Sequence, residues 1–149
     1  MTGLENKPSF AIGGSPNEFT VTITNQSAAS YTNIAPLVAV DRCSCSSGPV
    51  PLAPEGNLEL RQPDGSWRAI FYVRIGGGMD YIGETQVAGI TLAAGASATY
   101  TYRLGFKPST QQQYTNGTAR IEIDIVTVPN KRLARLIPAT VFPIVVTTS

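Results

Sequence analysis

The chain has no histidine among its 149 residues, so the Ser-His and Cys-His relays are absent, together with the side chain most readily tuned as a general base near neutral pH. Charge is scarce as well, at 14% of residues with a formal net charge of +1, which gives no electrostatic reason to expect nucleic acid as a partner. There are only two cysteines. Without histidine or a second cysteine pair they do not complete a zinc tetrahedron, and no metal or other cofactor is expected. No apolar run reaches the roughly 18 residues that cross a bilayer as a helix, so no membrane insertion is expected. The opening Met1-Thr-Gly-Leu-Glu-Asn-Lys-Pro8 lacks the apolar core and small-residue cleavage site of a secretory signal. Either a leader has been cut away or the protein leaves its cell without one.

What the chain does contain is a two-residue rhythm. Phe19, Val21 and Ile23 alternate with Thr20, Thr22 and Thr24, which puts the apolar set on one face of a strand and the hydroxyls on the other. The β-branched residues here lose rotamer freedom in a helix and favour the pleat. The same alternation recurs at Leu58–Leu60, at Ala98–Leu104 and at Ala119–Ile125, where Arg120, Glu122 and Asp124 make the wet face. Ala139–Thr147 is apolar on both faces and predicts a closing strand buried on two sides. Pro8–Ile12 reads as an edge strand, and Ile34–Val40 as a strand bulged or edged at Pro36. The 14 glycines and 11 prolines fall between these runs as turn residues. At 149 residues the chain has the size of one domain, residues 1–149, with 1–7 expected as a flexible arm.

The irregular stretches carry the candidate site residues. Asp41–Gly56 is the longest, with Cys43 and Cys45 at its base; two cysteines at i and i+2 of an extended chain approach the limit of about 7 Å for bridging, so a local disulfide and two free thiols stand level. Pro63-Asp64-Gly65 predicts a tight turn with Trp67–Val73 as the returning hairpin arm. The only tryptophan, Trp67, is read first as core or sheet cover and second as a ligand platform. Gly76-Gly77-Gly78 lacks the Gly-Lys-Ser/Thr ending of a phosphate loop, and Asp80 with Glu84 lacks the spacing of a calcium cage. Tyr72, Tyr81 and Tyr114 are further ligand-binding candidates, able to anchor a partner or to pack.

About eight or nine short strands separated by turns predict an all-β chain folded as a two-sheet sandwich. The frame Phe19-Thr-Val-Thr-Ile-Thr-Asn25, then Tyr31-x-Asn33-Ile-Ala-Pro36, then Leu92-Ala-Ala-Gly-Ala-Ser-Ala-Thr-Tyr-Thr-Tyr-Arg-Leu104 resembles the immunoglobulin-like modules of secreted and wall-attached actinobacterial proteins. That resemblance spans nearly the whole chain. It implies an immunoglobulin-like β-sandwich of about eight strands in two antiparallel sheets, a binding or spacer role, and no catalytic residue. The chain departs from antibody-type domains in having no Cys-Trp-Cys spacing.

With no histidine and only scattered carboxylates, the chain is expected not to be an enzyme. The expected function is surface display, adhesion or spacing, outside the cell or on its surface, with the loops Cys43–Gly56, Ile75–Glu84 and Lys107–Gly117 meeting a protein or glycan. The alternative is a structural virion protein, a capsid decoration or tail component of an actinobacterial phage, docking through Leu4–Ile12 and Phe142–Thr147 as exposed edges. A further alternative is an adaptor subunit of a secreted assembly. Oligomers would form through edge strands.

Overall fold

The computed structural model describes residues 3–70, 72–75, 80–83, 88–128 and 140–148, with the backbone alone at 72–75 and 80–83. The strands are β1 (Ser9–Ile12), β2 (Asn17–Thr24), β3 (Tyr31–Val40), β4 (Gly56–Arg61), β5 (Trp67–Ile70), β6 (Tyr72–Ile75), β7 (Asp80–Gly83), β8 (Ile90–Leu92), β9 (Ser97–Phe106), β10 (Gly117–Thr127) and β11 (Thr140–Thr148). No helix occurs among the described residues. The chain is all-β.

Alternation predicted the burial of several strands. Phe19, Val21 and Ile23 of β2 are buried while Thr22 and Thr24 face water, and Ala119, Ile121, Ile123 and Ile125 of β10 point into the core. The outward threonines pair across strands, Thr22 Oγ1 with Thr99 Oγ1 at 3.1 Å and Thr24 Oγ1 with Ser97 Oγ at 2.8 Å. Such pairs tie β2 to β9 from the wet side.

Pairing departs from the expected two antiparallel sheets. The strands form one continuous curled sheet in the order β5-β4-β9-β1-β11-β10-β3-β7-β6, with β2 on β9 and β8 on β3. The link is β1, which runs parallel to β11 from Ser9↔Val145 to Ile12↔Thr148 and touches β9 at Ile12↔Phe106. The path folds back so that β2, β4 and β9 share one core with β3, β10 and β11. Phe10 and Phe106, with ring centroids 5.4 Å apart, fill the region of that link.

Several local expectations are corrected. The closing strand β11 lies between β10 and β1, so Phe142–Thr147 is not an edge, and Ser9–Ile12 is spent in pairing with β11. Val141 is 46% exposed, so β11 is not buried on both faces. Of the 1–7 stretch expected as a flexible arm, Leu4 is buried in the core. Trp67–Val73 is not one hairpin arm. β5 ends at Ile70, on one end of the sheet, and β6 is at the other end. Pro36 lies in a strand with neighbours on both sides: it is opposite Ile125 of β10, and on its other side β3 pairs β8 at Ile34 and β7 at Ala39. Asp124, read as a wet-face acid, is buried along with its cross-strand neighbour Leu37; periodicity assigns a face, and whether that face is covered depends on tertiary packing.

Candidate functional site

The strands deliver the chemistry to two opposite poles. At the pole where β3 and β9 end and β10 begins, the loops 41–55 and 107–116 meet. Cys43 and Cys45 are disulfide-bonded with their Cα atoms 5.0 Å apart, the chain bending at Ser44, and both are fully buried. The bend leaves the flanking backbone free to pair outward. Ser44 N–H donates to Thr118 O at 2.9 Å, and Thr118 N–H donates to Ser44 Oγ at 2.8 Å. Thr115 N–H donates to Cys45 O at 2.8 Å, and Ser46 and Tyr114 form an antiparallel bridge. Farther out, Ser47 Oγ donates to Gln113 O at 2.8 Å and Gln112 Nε2 to Ser46 Oγ at 2.9 Å.

Gly117 is what lets the two loops come so close: a Cβ there would collide with the backbone of Cys45. The result is a cross-linked platform. Its tip is Pro49-Val50-Pro51, with Val50 47% exposed, beside the exposed residues Gln111, Gln113 and Asn116. Tyr114 lies under this platform, half-buried against the core, and its hydroxyl accepts from Glu55 N–H at 3.3 Å.

At the opposite pole, where β2 ends and β3 begins, the organising group is Asn25. It is buried, and its side-chain amide shares its protons among Ala29 O at 2.7 Å, Leu92 O at 3.0 Å and Ala93 O at 3.0 Å. Its Oδ1 accepts from Ser27 N–H at 3.0 Å and Ser27 Oγ at 2.8 Å. The amide thus joins the backbone pair of Asn25 N–H to Ala96 O at 2.9 Å and Gly95 N–H to Asn25 O at 2.8 Å in holding the turn after β2 against the turn between β8 and β9. Beside it opens a cavity of about 280 Å³. Sequence reasoning saw Asn25 only as a turn former; the signal it passed over was an amide placed directly after a buried strand, where a polar side chain must find internal partners.

Trp67 is at neither pole. It sits half-buried on the outward face of β5, because Ile70 takes the inward face. The Arg103 guanidinium lies 4.5 Å from its ring centroid and that of Arg61 lies 5.8 Å away. Arg103 also donates to both carboxylate oxygens of Glu59, Nη2 to Oε1 at 3.0 Å, and this hydrogen bond holds the Glu59 carboxyl below its usual range. The indole is thus covered by cations. Tyr72 and Tyr81 lie on β6 and β7, and their side chains are outside the described residues, as are Gly76-Gly77-Gly78 and Glu84 of the loop expected to meet a partner. The structure brings Cys43, Cys45 and Tyr114 together at the platform and keeps Trp67 apart from them.

Two tyrosines complete the electrostatics. Burial pushes the Tyr102 hydroxyl well above its ordinary value and Tyr100 up as well, and neither hydroxyl has a hydrogen-bond partner among the described residues. In both cases burial disfavours the charged phenolate.

No protein-family model matches the chain, and no curated protein matches it. Among solved structures, it is similar to AvmM, which catalyses macrocyclization in alchivemycin A biosynthesis, with a TM-score of 0.59 and 11% identity over 95% of this chain and 84% of that one. Weaker likenesses are to a PapD-like domain of human CEP192, with a TM-score of 0.32 and 10% identity over 97% and 82% of the two chains. Another is to the CssB subunit of the enterotoxigenic Escherichia coli colonization factor CS6, with a TM-score of 0.31 and 17% identity over 95% and 94%. The AvmM likeness corrects the expectation that the chain is not an enzyme. That expectation rested on missing histidine, whereas the fold itself is shared with a catalyst of macrocyclization, so fold class gives no ground for excluding catalysis.

Proposed function

We propose that the chain is an immunoglobulin-like display or adhesion module that meets a protein or glycan at a cell surface through the platform of loops 41–55 and 107–116. The observation that carries this reading is the cross-linking of the two loops over a buried disulfide. A loop pair already fixed before contact loses little conformational entropy on binding, which is how a small surface gains affinity. The tip combines an exposed valine between prolines with side-chain amides, a mixture of apolar area and hydrogen-bonding groups suited to a polar, partly wet interface. The disulfide supports an oxidising compartment outside the cytosol.

The test is capture of purified surface protein and wall polysaccharide fractions by immobilised chain, comparing Val50→Asp at the platform tip with Arg61→Ala on the outer sheet face. Loss of capture in Val50→Asp with retention in Arg61→Ala is the expected result. Capture by both variants, or by neither fraction with the unaltered chain, overturns the reading.

A further inference from the structure

The cavity beside Asn25 lies at the pole remote from the platform, and no charged side chain lines it among the described residues. Its floor is the aliphatic set Ile23, Ile34, Leu92 and Ile125, and its mouth is flanked by Gln26 and Tyr31. The floor residues are themselves buried core, while Tyr31 is 44% exposed and Gln26 is exposed. The Gln26 amide and the Tyr31 hydroxyl make no hydrogen bond among the described residues. The Asn25 amide, in contrast, is fully committed to Ala29, Leu92, Ala93 and Ser27, so it fixes the wall.

We propose that this cavity is a binding site for an uncharged, largely hydrocarbon small molecule bearing one hydroxyl, carbonyl or ring N–H group. Three features argue for that chemistry. At about 280 Å³ the cavity sits close to the lower end of small-molecule sites, which begin near roughly 300 Å³ and are mainly apolar with a few placed polar groups. An ionised ligand would surrender its hydration to lining residues that, among those described, offer no counter-charge. Tyr31 presents an aromatic face and a hydroxyl at the entrance, and the Gln26 amide supplies both a donor and an acceptor there. A ligand would enter hydrocarbon end first and leave its polar group at the mouth.

The experiment is a titration of ¹⁵N-labelled chain with indole and p-cresol, set against benzoate and benzylamine as charged probes of similar shape. The neutral probes should move the amide signals of Gln26, Ser27, Tyr31 and Leu92 saturably and leave those of Ser47 and Gln113 in place. The charged probes should bind at least about tenfold more weakly. Tyr31→Ala should weaken indole by about three- to tenfold, and Gln26→Trp should narrow the mouth and reduce binding further; both positions are exposed, so the spectrum outside the pole should be retained. Val50→Asp should not alter indole binding, which separates this site from the platform. Equal binding of charged and neutral probes, shifts scattered away from the cavity, or no saturation up to the solubility limit of the probes would each overturn the proposal.

Discussion

At one pole two loops are sewn together by hydrogen bonds over a covalent bridge, and at the other a buried side-chain amide reinforces a backbone pair between two turns beside an open cavity. Both poles solve the same problem, since loops that leave a sheet expose backbone groups that need partners. The platform solves it by backbone pairing between the loops, Ser44 with Thr118 and Cys45 with Thr115, and so closes up. The Asn25 pole adds to a backbone pair, Asn25 N–H to Ala96 O and Gly95 N–H to Asn25 O, one side chain that reaches three carbonyls. The contrast separates a surface fit to be touched from a hollow fit to be filled.

The largest effect should come from removing the hub. Asn25→Ala removes the buried donor shared by the Ala29, Leu92 and Ala93 carbonyls and the acceptor of Ser27 and should cost about 3 kcal/mol in urea unfolding. Hydrogen exchange should speed first at residues 26–30 and 92–96, with Ser44 and Thr115 still protected; equal loss at both poles would show that they are one cooperative unit. Gly117→Ala is the matching break at the platform. Its Cβ meets the Cys45 backbone, and the shift that follows should cost about 2 kcal/mol and abolish Thr115 protection without affecting indole binding.

Replacing Cys43 and Cys45 together by alanine should be milder. The bridged loop spans a sequence separation of only 2, and chain entropy assigns so short a loop about 1.5 kcal/mol. Unfolding of the double variant should therefore remain cooperative, with the hydrogen bonds around Ser44 retained. Between the poles, Tyr102→Phe should leave stability unchanged or raise it by up to about 1 kcal/mol, because the deleted hydroxyl has no partner among the described residues. The same residue sets an alkaline limit. Burial raises its pKa in the folded chain, so its neutral form favours folding fully below the unfolded value near 10, and that advantage is lost as pH rises from there toward the folded value. Alkaline unfolding should accordingly move to higher pH in Tyr102→Phe.

The smallest effect belongs to the sheet face that serves neither pole. The Glu59 carboxyl is lowered by its hydrogen bond from Arg103. The pair therefore contributes above the unfolded carboxylate value, about 4.3, and the contribution fades as pH falls through the folded value. Glu59→Gln should flatten the acid limb of the stability curve slightly, as expected of a solvent-screened pair. A change in the occupancy of either pole in that variant would contradict their separation from this face.

Much of the fold was legible residue by residue. The alternation at Phe19, Val21 and Ile23 and that from Ala119 to Ile125 named the inward faces correctly, because the pleat has a fixed period of two. The site was far less legible. Nothing in Asn25-Gln26-Ser27 distinguishes a hub from an ordinary turn until Leu92 and Ala93, more than sixty residues away in the chain, are brought to it. Trp67 drew attention by its rarity, yet Val50, a residue of no distinction in sequence, is the more exposed tip of the platform.

The sequence by itself determined that this chain forms strands, where most of them lie and which side of each is dry, since these follow from side-chain shape and local periodicity. Only the tertiary structure decided which strands are neighbours, that β1 ties two parts of the sheet together, that Asp124 is covered, and that the turn after β2 leaves a cavity against β3, β8 and β10. Strand pairing and enclosed volume depend on contacts between residues far apart in the chain, and local patterning carries no record of them.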